Sequence, residues 1–250
     1  MAGGAVPFNY RYFIAHAARL GGRSLDYGCG VGDMVALGRA DGLDIWGADT
    51  FDGYYSGWAD ALKPTVRDRV TRIVDQRADF PDQHFDFVMS NQVMEHVTDP
   101  ERVIADVFRL LRPGGRFIAA FPVVDTWYEG HVGLYFAHRF AAKSHLRRAY
   151  FDLSHRLGFG LYRGALTTAQ WTAMSENTLD QACFYYPLAR IHKAFEQTFG
   201  ADLEDISADY MRRRLGARAR FAPGVADPLL RLVYHVRAGR IFSIRKPAPA

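Results

Sequence analysis

Three glycines alternate in Leu25-Asp26-Tyr27-Gly28-Cys29-Gly30-Val31-Gly32-Asp33. Without side chains at those points, backbone amides can approach a ligand closely. The spacing is GxGxG, not the GxGxxG of most dinucleotide sites, and an acid stands two residues before the first glycine. A carboxylate there repels a pyrophosphate and suits a cationic amino group. A tight structural turn is the alternative. Asp49 closes the next apolar run and can accept both hydroxyl hydrogens of a ribose, with a helix cap as the plainer role. Thr50 and Phe51 follow it, and Phe51 is placed to pack on a nucleobase face.

A second chemical stretch is Trp127-Tyr128-Glu129-Gly130-His131-Val132-Gly133-Leu134-Tyr135-Phe136-Ala137-His138-Arg139-Phe140. Glu129 can orient an imidazole, so His131 or His138 is a candidate general base for a hydroxyl nucleophile. If the segment is extended, Glu129 and His131 lie on one side. Aromatic faces with charged tips also suit a sugar. The same Glu129, His131 and His138 are alternative ligands for a divalent metal. A packed loop rich in histidine and aromatics is the bland alternative.

The elements that position these residues read as βαβ units. Strands are predicted at 23–27, 43–48, 70–74, 85–90 and 116–121, with a helix at 33–40 after the glycine loop. Asp99–Leu111 is a marked helix. Asp99 caps it, Pro100 suits its first position, and Val103, Val107 and Leu110 form its apolar face. Leu188–Phe199 is another helix, stopped by Gly200. Leu203–Tyr210 and Ile241–Ile244 are predicted as late antiparallel strands. The tail Pro247–Ala250 is expected to be loose.

A chain of 250 residues, 49% hydrophobic, supports one buried α/β core and little more. No run is long and apolar enough for a membrane span, and Met1–Ala5 lacks the features of a signal peptide. Two distant cysteines, Cys29 and Cys183, fit a reducing cytoplasm better than a disulfide framework. From Tyr210 to Ala250 there are ten Arg/Lys and one acid, Asp227, whereas the rest carries 21 basic and 26 acidic residues. This asymmetry suits contact with an anionic lipid, nucleic acid or phosphorylated molecule; solvated edges of strands and helices explain it equally well.

Asp26–Gly32, Asp49, Phe80-Pro81-Asp82-Gln83-His84-Phe85-Asp86, Ser90-Asn91-Gln92-Val93-Met94-Glu95-His96 and Arg109-Leu110-Leu111-Arg112-Pro113-Gly114-Gly115 occur in a fixed order. Together they resemble the successive motifs of class I, type-11-like methyltransferases dependent on S-adenosylmethionine. The resemblance covers roughly residues 10–122. It implies an α/β, Rossmann-like fold: a doubly wound, mostly parallel seven-stranded sheet with helices on both faces. It further implies one methyltransferase domain over 1–250, with a cofactor core at 10–122, a substrate-side insertion after strand five at 123–187, and C-terminal elements with a basic end at 188–250. Asp26, Gly28, Gly30 and Gly32 are then expected at the methionine end of S-adenosylmethionine, Asp49 at its ribose, and Asp75 at the adenine amino group, although the pattern departs there by about a residue. Asn91, Gln92 and His96 follow strand four, where cofactor and acceptor meet in the family, and His96 is a further catalytic candidate beside a second-layer packing role. Tyr10 and Tyr12 either cover the cofactor or belong to the core.

The leading expectation is O-methylation of a sugar, glycan or other small hydroxylated acceptor, with a divalent metal optional. A region like 122–140 resembles enzymes linked to glycan or cell-surface modification. The alternatives are a methyltransferase for RNA or lipid that uses the basic C-terminal stretch, and a regulator that binds the cofactor without catalysis. Ser90-Asn91-Gln92-Val93 lacks the Pro-Pro-aromatic motif of exocyclic-amine enzymes, and no cysteine suits cytosine C5 chemistry. Nucleic acid is therefore not the expected partner, although peripheral contact of the basic end with a membrane is consistent with the charge.

Overall fold

A computed structural model describes residues 5–216 and 226–248. Arg218 and Arg220 of the basic stretch, most of Met1–Ala5 and the last two residues of the Pro/Ala tail lie outside the described residues. In chain order the first elements are α1 (Phe8–Leu20), β1 (Arg23–Tyr27), α2 (Asp33–Ala40), β2 (Asp44–Asp49), α3 (Trp58–Ala61), β3 (Val70–Val74), β4 (Arg77–Ala78), β5 (Phe85–Asn91), α4 (Pro100–Leu110) and β6 (Leu111–Phe121). There follow β7 (Tyr128–Glu129), β8 (Leu134–Tyr135), α5 (His145–Arg156), α6 (Thr168–Ala182), α7 (Leu188–Phe199), β9 (Glu204–Asp205), α8 (Ser207–Leu215), α9 (Asp227–Arg237) and β10 (Arg240–Arg245).

The main sheet has the order β4-β3-β2-β1-β5-β6-β10-β9, parallel from β3 to β6 and antiparallel at both margins. Its central strands are covered on both faces, so β5 reads as a nearly continuous apolar run, and Phe85, Phe87, Val88 and Met89 are all buried. The main sheet has eight strands among the described residues, not the seven expected, and its two outermost strands, β4 and β9, are two residues long. The strand order reverses at β1, flanked by β2 and β5. Such a switch point opens a crevice beyond the carboxyl ends of the strands. Gly28, Asp49 and Asn91 all stand at that edge.

Helix α4 forms as its sequence predicts. Asp99 Oδ1 accepts from the Arg102 amide at 3.2 Å, Pro100 begins the helix, and Val103, Val107 and Leu110 face the core. Helix α7 keeps its predicted bounds and ends at Gly200, whose φ of 62° suits glycine. The predicted strand at 203–210 is corrected. Only Glu204 and Asp205 pair with β10, and α8 begins at Ser207. Asp205 Oδ1 accepts the Ser207 amide at 2.9 Å and turns the chain into that helix, which buries Ala208 and Tyr210. The insertion folds as a β7–β8 hairpin and an α5–α6 pair packed around Phe151, Trp171 and Leu179.

Candidate active site

The glycine loop is held by its own backbone. The amides of Gly28 and Cys29 both donate to the Ala48 carbonyl, at 2.7 and 3.1 Å, tying the end of β1 to β2. Gly28 has φ 81°, and a Cβ there would stand 2.3 Å from Val93 Cγ2. Only glycine suits both the left-handed backbone and that approach. Beneath the loop, Asp26 is buried and its Oδ1 has no hydrogen-bond partner among the described residues. Burial, reinforced by Asp49 and Asp33, raises its pKa well above the usual carboxylate range. An ammonium group would supply the missing partner. Tyr10 stands close enough that Asp33 and Asp26 raise its hydroxyl in addition to burial, whereas Tyr12 is a core residue that donates to Asp209 at 2.9 Å.

Asp49 ends β2 and accepts the Gly30 amide at Oδ2, 2.8 Å, and the Phe51 amide at Oδ1, 3.1 Å. Burial raises its pKa, against the pull of these amides. Each oxygen keeps a further lone pair for a ribose hydroxyl. A cleft of about 490 Å³ runs past Tyr27, Gly28, Asp49, Thr50, Gln76 and Val93. Two expected contacts are corrected. Phe51 takes φ 49° and turns into the core beside Val66, leaving Tyr54 and Trp58 on the cleft wall. Asp75 is exposed, and the next residue, Gln76, lines the cleft. The tight turn between β3 and β4, with positive φ at both residues, moves the polar contact by one position.

Gln92 lines this cleft and also a second cavity of about 590 Å³. Asn9, Asn91, Tyr128, His131, Arg214 and Arg237 border the second space, together with the rings of Phe8, Tyr210 and Tyr234. Asn91 accepts from Asn9 Nδ2 at 3.2 Å, which fixes α1 over the end of β5. Arg237 lies 3.7 Å over the Tyr128 ring, and Arg214 reaches the Tyr210 hydroxyl at 3.4 Å. The basic end thus divides in two. Arg214 and Arg237 face the cavity, whereas Arg212 pairs with Asp227 at 2.6 Å and Arg213 with Asp209 at 2.8 Å. Lys246 is spent on the carbonyls of Phe108 and Leu111, at 2.7 and 2.9 Å.

Between the two spaces sits a polar cluster. His131 Nδ1 meets Glu129 Oε1 at 2.6 Å, and Glu129 also accepts from the Val132 amide at 2.7 Å and from the Tyr185 hydroxyl. Burial would raise the Glu129 carboxyl, but His131 and these other donors outweigh it and hold the pKa below the usual range. Burial likewise opposes charge on His131, yet the Cys183 sulfur and the Glu129 carboxylate prevail and push its pKa up to about 11. His131 is then a cation at neutral pH. Its Nε2 stands 3.3 Å from Nε2 of His96, whose pKa burial pushes down to about 4.

The expected pairing of Glu129 with His131 is therefore present, but the ring holds its proton too firmly to be a ready base. His138 is not brought to either cavity: its Nε2 donates to the Val124 carbonyl at 3.1 Å and its ring packs on Tyr185. His96 joins the cluster from the turn after β5, its Nδ1 donating to the Ala182 carbonyl. Cys183 and Tyr185, which complete the cluster from beyond α6, were not among the sequence candidates. The only signal for them was the Cys-Phe-Tyr-Tyr run at 183–186, which carries no spacing relation to Glu129.

The sequence matches the methyltransferase domain family over residues 9–204. The chain belongs to that family, as a class I, Rossmann-like methyltransferase domain whose cofactor is S-adenosylmethionine. It is 34% identical over 117 residues to a demethylmenaquinone methyltransferase of Symbiobacterium thermophilum, covering 44% of this chain and 46% of the relative. It is 30% identical over 112 residues to a ubiquinone biosynthesis O-methyltransferase of Photobacterium profundum, covering 44% and 48%. The chain thus aligns with about half the length of these curated relatives. A crystal structure of an S-adenosylmethionine-dependent methyltransferase from Mesorhizobium loti superposes with a TM-score of 0.54 over 96% of this chain and 98% of that one, at 17% identity, a likeness of fold. The residues at the cleft fit the cofactor: Asp26, whose Oδ1 lacks a partner among the described residues, suits its amino group, Asp49 its ribose, and Gln76 the polar edge of its adenine. Among the described residues no helix is long and apolar enough to cross a membrane.

Proposed function

We propose that the chain transfers a methyl group from S-adenosylmethionine to a hydroxyl oxygen of a small ring-bearing acceptor held in the second cavity. The observation that carries this reading is the pair of spaces meeting at Gln92, one suited to the cofactor and the other ringed by aromatic side chains and three cations, His131, Arg214 and Arg237. Bound in the cleft, the cofactor supplies an activated methyl group. The protein's part is to align the acceptor oxygen behind that methyl and to stabilise charge on it. Phe8, Tyr128, Tyr210 and Tyr234 offer faces for a flat ring. His131, charged and held by Glu129, sets positive charge beside the acceptor anion, with its Nδ1–H on Glu129 and its Nε2 facing His96.

That distinction selects among hydroxyls. A sugar hydroxyl needs a base, and the expected base His138 is turned away from the cavity. A phenolic hydroxyl ionises more readily, its proton leaving to solvent before transfer, and a cationic pocket favours its anion. A phenolic acceptor is therefore the favoured member of the hydroxylated class. The name of one relative, a ubiquinone biosynthesis O-methyltransferase, supports methylation at oxygen. The test is release of S-adenosylhomocysteine across matched panels of phenols, catechols and sugars, with the methylated position read by NMR. Phenols and catechols should turn over fastest, with the methyl on oxygen. Faster turnover of sugars, or a methyl on nitrogen or carbon, overturns the reading.

A further inference from the structure

The methyl-transfer reading leaves one convergence of side chains unused. His96 and His131 face each other through Nε2 atoms 3.3 Å apart, and Cys183 Sγ joins them so that all three donor atoms lie within 4.8 Å of one another. The next layer shows what the triangle is built for. His96 Nδ1 meets the Ala182 carbonyl, and a carbonyl only accepts, so the proton is on Nδ1 and the Nε2 lone pair points inward. His131 Nδ1 donates in the same way to Glu129 Oε1 at 2.6 Å. Glu129 is itself pinned by the Tyr185 hydroxyl and by the amides of His131 and Val132, at 3.1 and 2.7 Å for the amides. A carboxylate or carbonyl fixing the far nitrogen of an imidazole is the usual second layer of a metal-binding histidine.

Distance and donor type agree. Two nitrogens each about 2.0–2.1 Å from a tetrahedral ion stand roughly 3.3 Å apart, the separation seen here. Imidazole with thiolate suits zinc and not magnesium or calcium, which take oxygen donors. We infer that His96, His131 and Cys183 form a binding site for a zinc-type divalent cation, with three protein donors and a fourth position for water or an acceptor oxygen. Without the ion, one proton between the facing nitrogens fills the gap. With it, the ion replaces that proton and carries the positive charge in its place, Glu129 orients His131 and is not a ligand, and His138 takes no part. The site lies in the wall between the two spaces, since His96 lines the cleft and His131 the second cavity. The inference goes beyond the methyl-transfer reading: transfer is judged by S-adenosylhomocysteine release, the ion by metal content and spectrum alone.

The experiment uses the full chain, purified without chelator for elemental analysis and then depleted and titrated with Co²⁺. About one ion per chain is expected, with thiolate-to-cobalt charge transfer and the intense visible bands of tetrahedral cobalt. Cys183→Ser should remove the charge-transfer band and weaken binding by about tenfold or more, the scale on which even outer-layer partners act. His131→Gln should weaken it similarly, and His138→Ala should keep both spectrum and stoichiometry. If His131→Gln fails to fold, Cys183→Ser, a near-isosteric change, still decides the matter. Absence of stoichiometric cobalt in the folded wild-type chain, or an unchanged spectrum in Cys183→Ser, overturns the inference.

Discussion

The cofactor cleft and the second cavity are neighbours built on opposite plans. The cofactor end of the cleft is made by backbone and by residues at the ends of β1 and β2. Tyr27, Gly28 and Asp49 line it there, and the amides of Gly28, Cys29 and Gly30 are all tied to β2. The second cavity is made by side chains from α1, the end of β5, the β7–β8 hairpin, α8 and α9. Its polar wall adds His96 and Cys183, 87 positions apart in the sequence. A backbone-built site tolerates side-chain change except where a glycine is required. A site assembled from distant side chains can be retuned one residue at a time.

The largest effect that tests this contrast falls in the second cavity. His131→Ala should lower turnover by about 10²–10³-fold, the scale for losing one preorganised electrostatic group, here one that holds the acceptor as its anion. Because His131 lies outside the cleft lining, the dissociation constant of S-adenosylmethionine should hold steady in calorimetry. A parallel loss of cofactor affinity would merge the two sites into one. Next is Gly28→Ala. A left-handed alanine costs about 1–2 kcal/mol, and crowding against the stiff Val93 side chain adds about 1 kcal/mol or more. Urea unfolding should show a loss of about 2–3 kcal/mol, with weaker cofactor binding. A stable variant with unchanged affinity would show that the loop relaxes more freely than its ties to Ala48 imply.

The same contrast explains what could be read from sequence. The glycine loop, Asp49 and the caps of α4 and α7 are local: a turn, a strand end and a helix end each follow from a few adjacent residues. The α8 region was misread as a strand because its alternating apolar residues also suit a helix face packed on Phe8 and Tyr12. Phe51 and Asp75 failed for a finer reason, since a positive φ redirects one side chain and shifts another by a position. Glu129 with His131 was legible as a near-neighbour pair, although a turn and not an extended segment joins them: the Glu129 carboxylate accepts the His131 and Val132 amides just after β7. The partners of that pair were not, for only tertiary packing brings the end of α6 and the turn after β5 to the hairpin.

A middle-sized effect separates the polar and backbone parts of the cleft itself. Asp49→Ala should weaken S-adenosylmethionine by about 1–3 kcal/mol, the range for hydrogen bonds to a charged group. Asp49→Asn retains an acceptor oxygen for the Gly30 amide and should lose less. Equal losses in calorimetry would mean that the charge, and not the loop geometry, dominates at this position.

The smallest effects should come from the basic end, and they divide it. Arg212 and Arg213 form exposed ion pairs with Asp227 and Asp209. Exposed pairs contribute about 0–1 kcal/mol each, so Arg212→Gln with Arg213→Gln should shift the unfolding free energy by no more than about 2 kcal/mol. Neither lines the cleft or the second cavity, so cofactor affinity and the acceptor KM should both stay unchanged. Arg214 is one residue further along α8 and faces the cavity, so Arg214→Gln should raise the acceptor KM while leaving the cofactor dissociation constant alone. Steady-state kinetics on the two variants, run at low and high salt, read the division directly. If the double variant raises KM as much as Arg214→Gln does, the acceptor feels the whole basic stretch through its field. The second cavity would then be one part of a wider cationic surface.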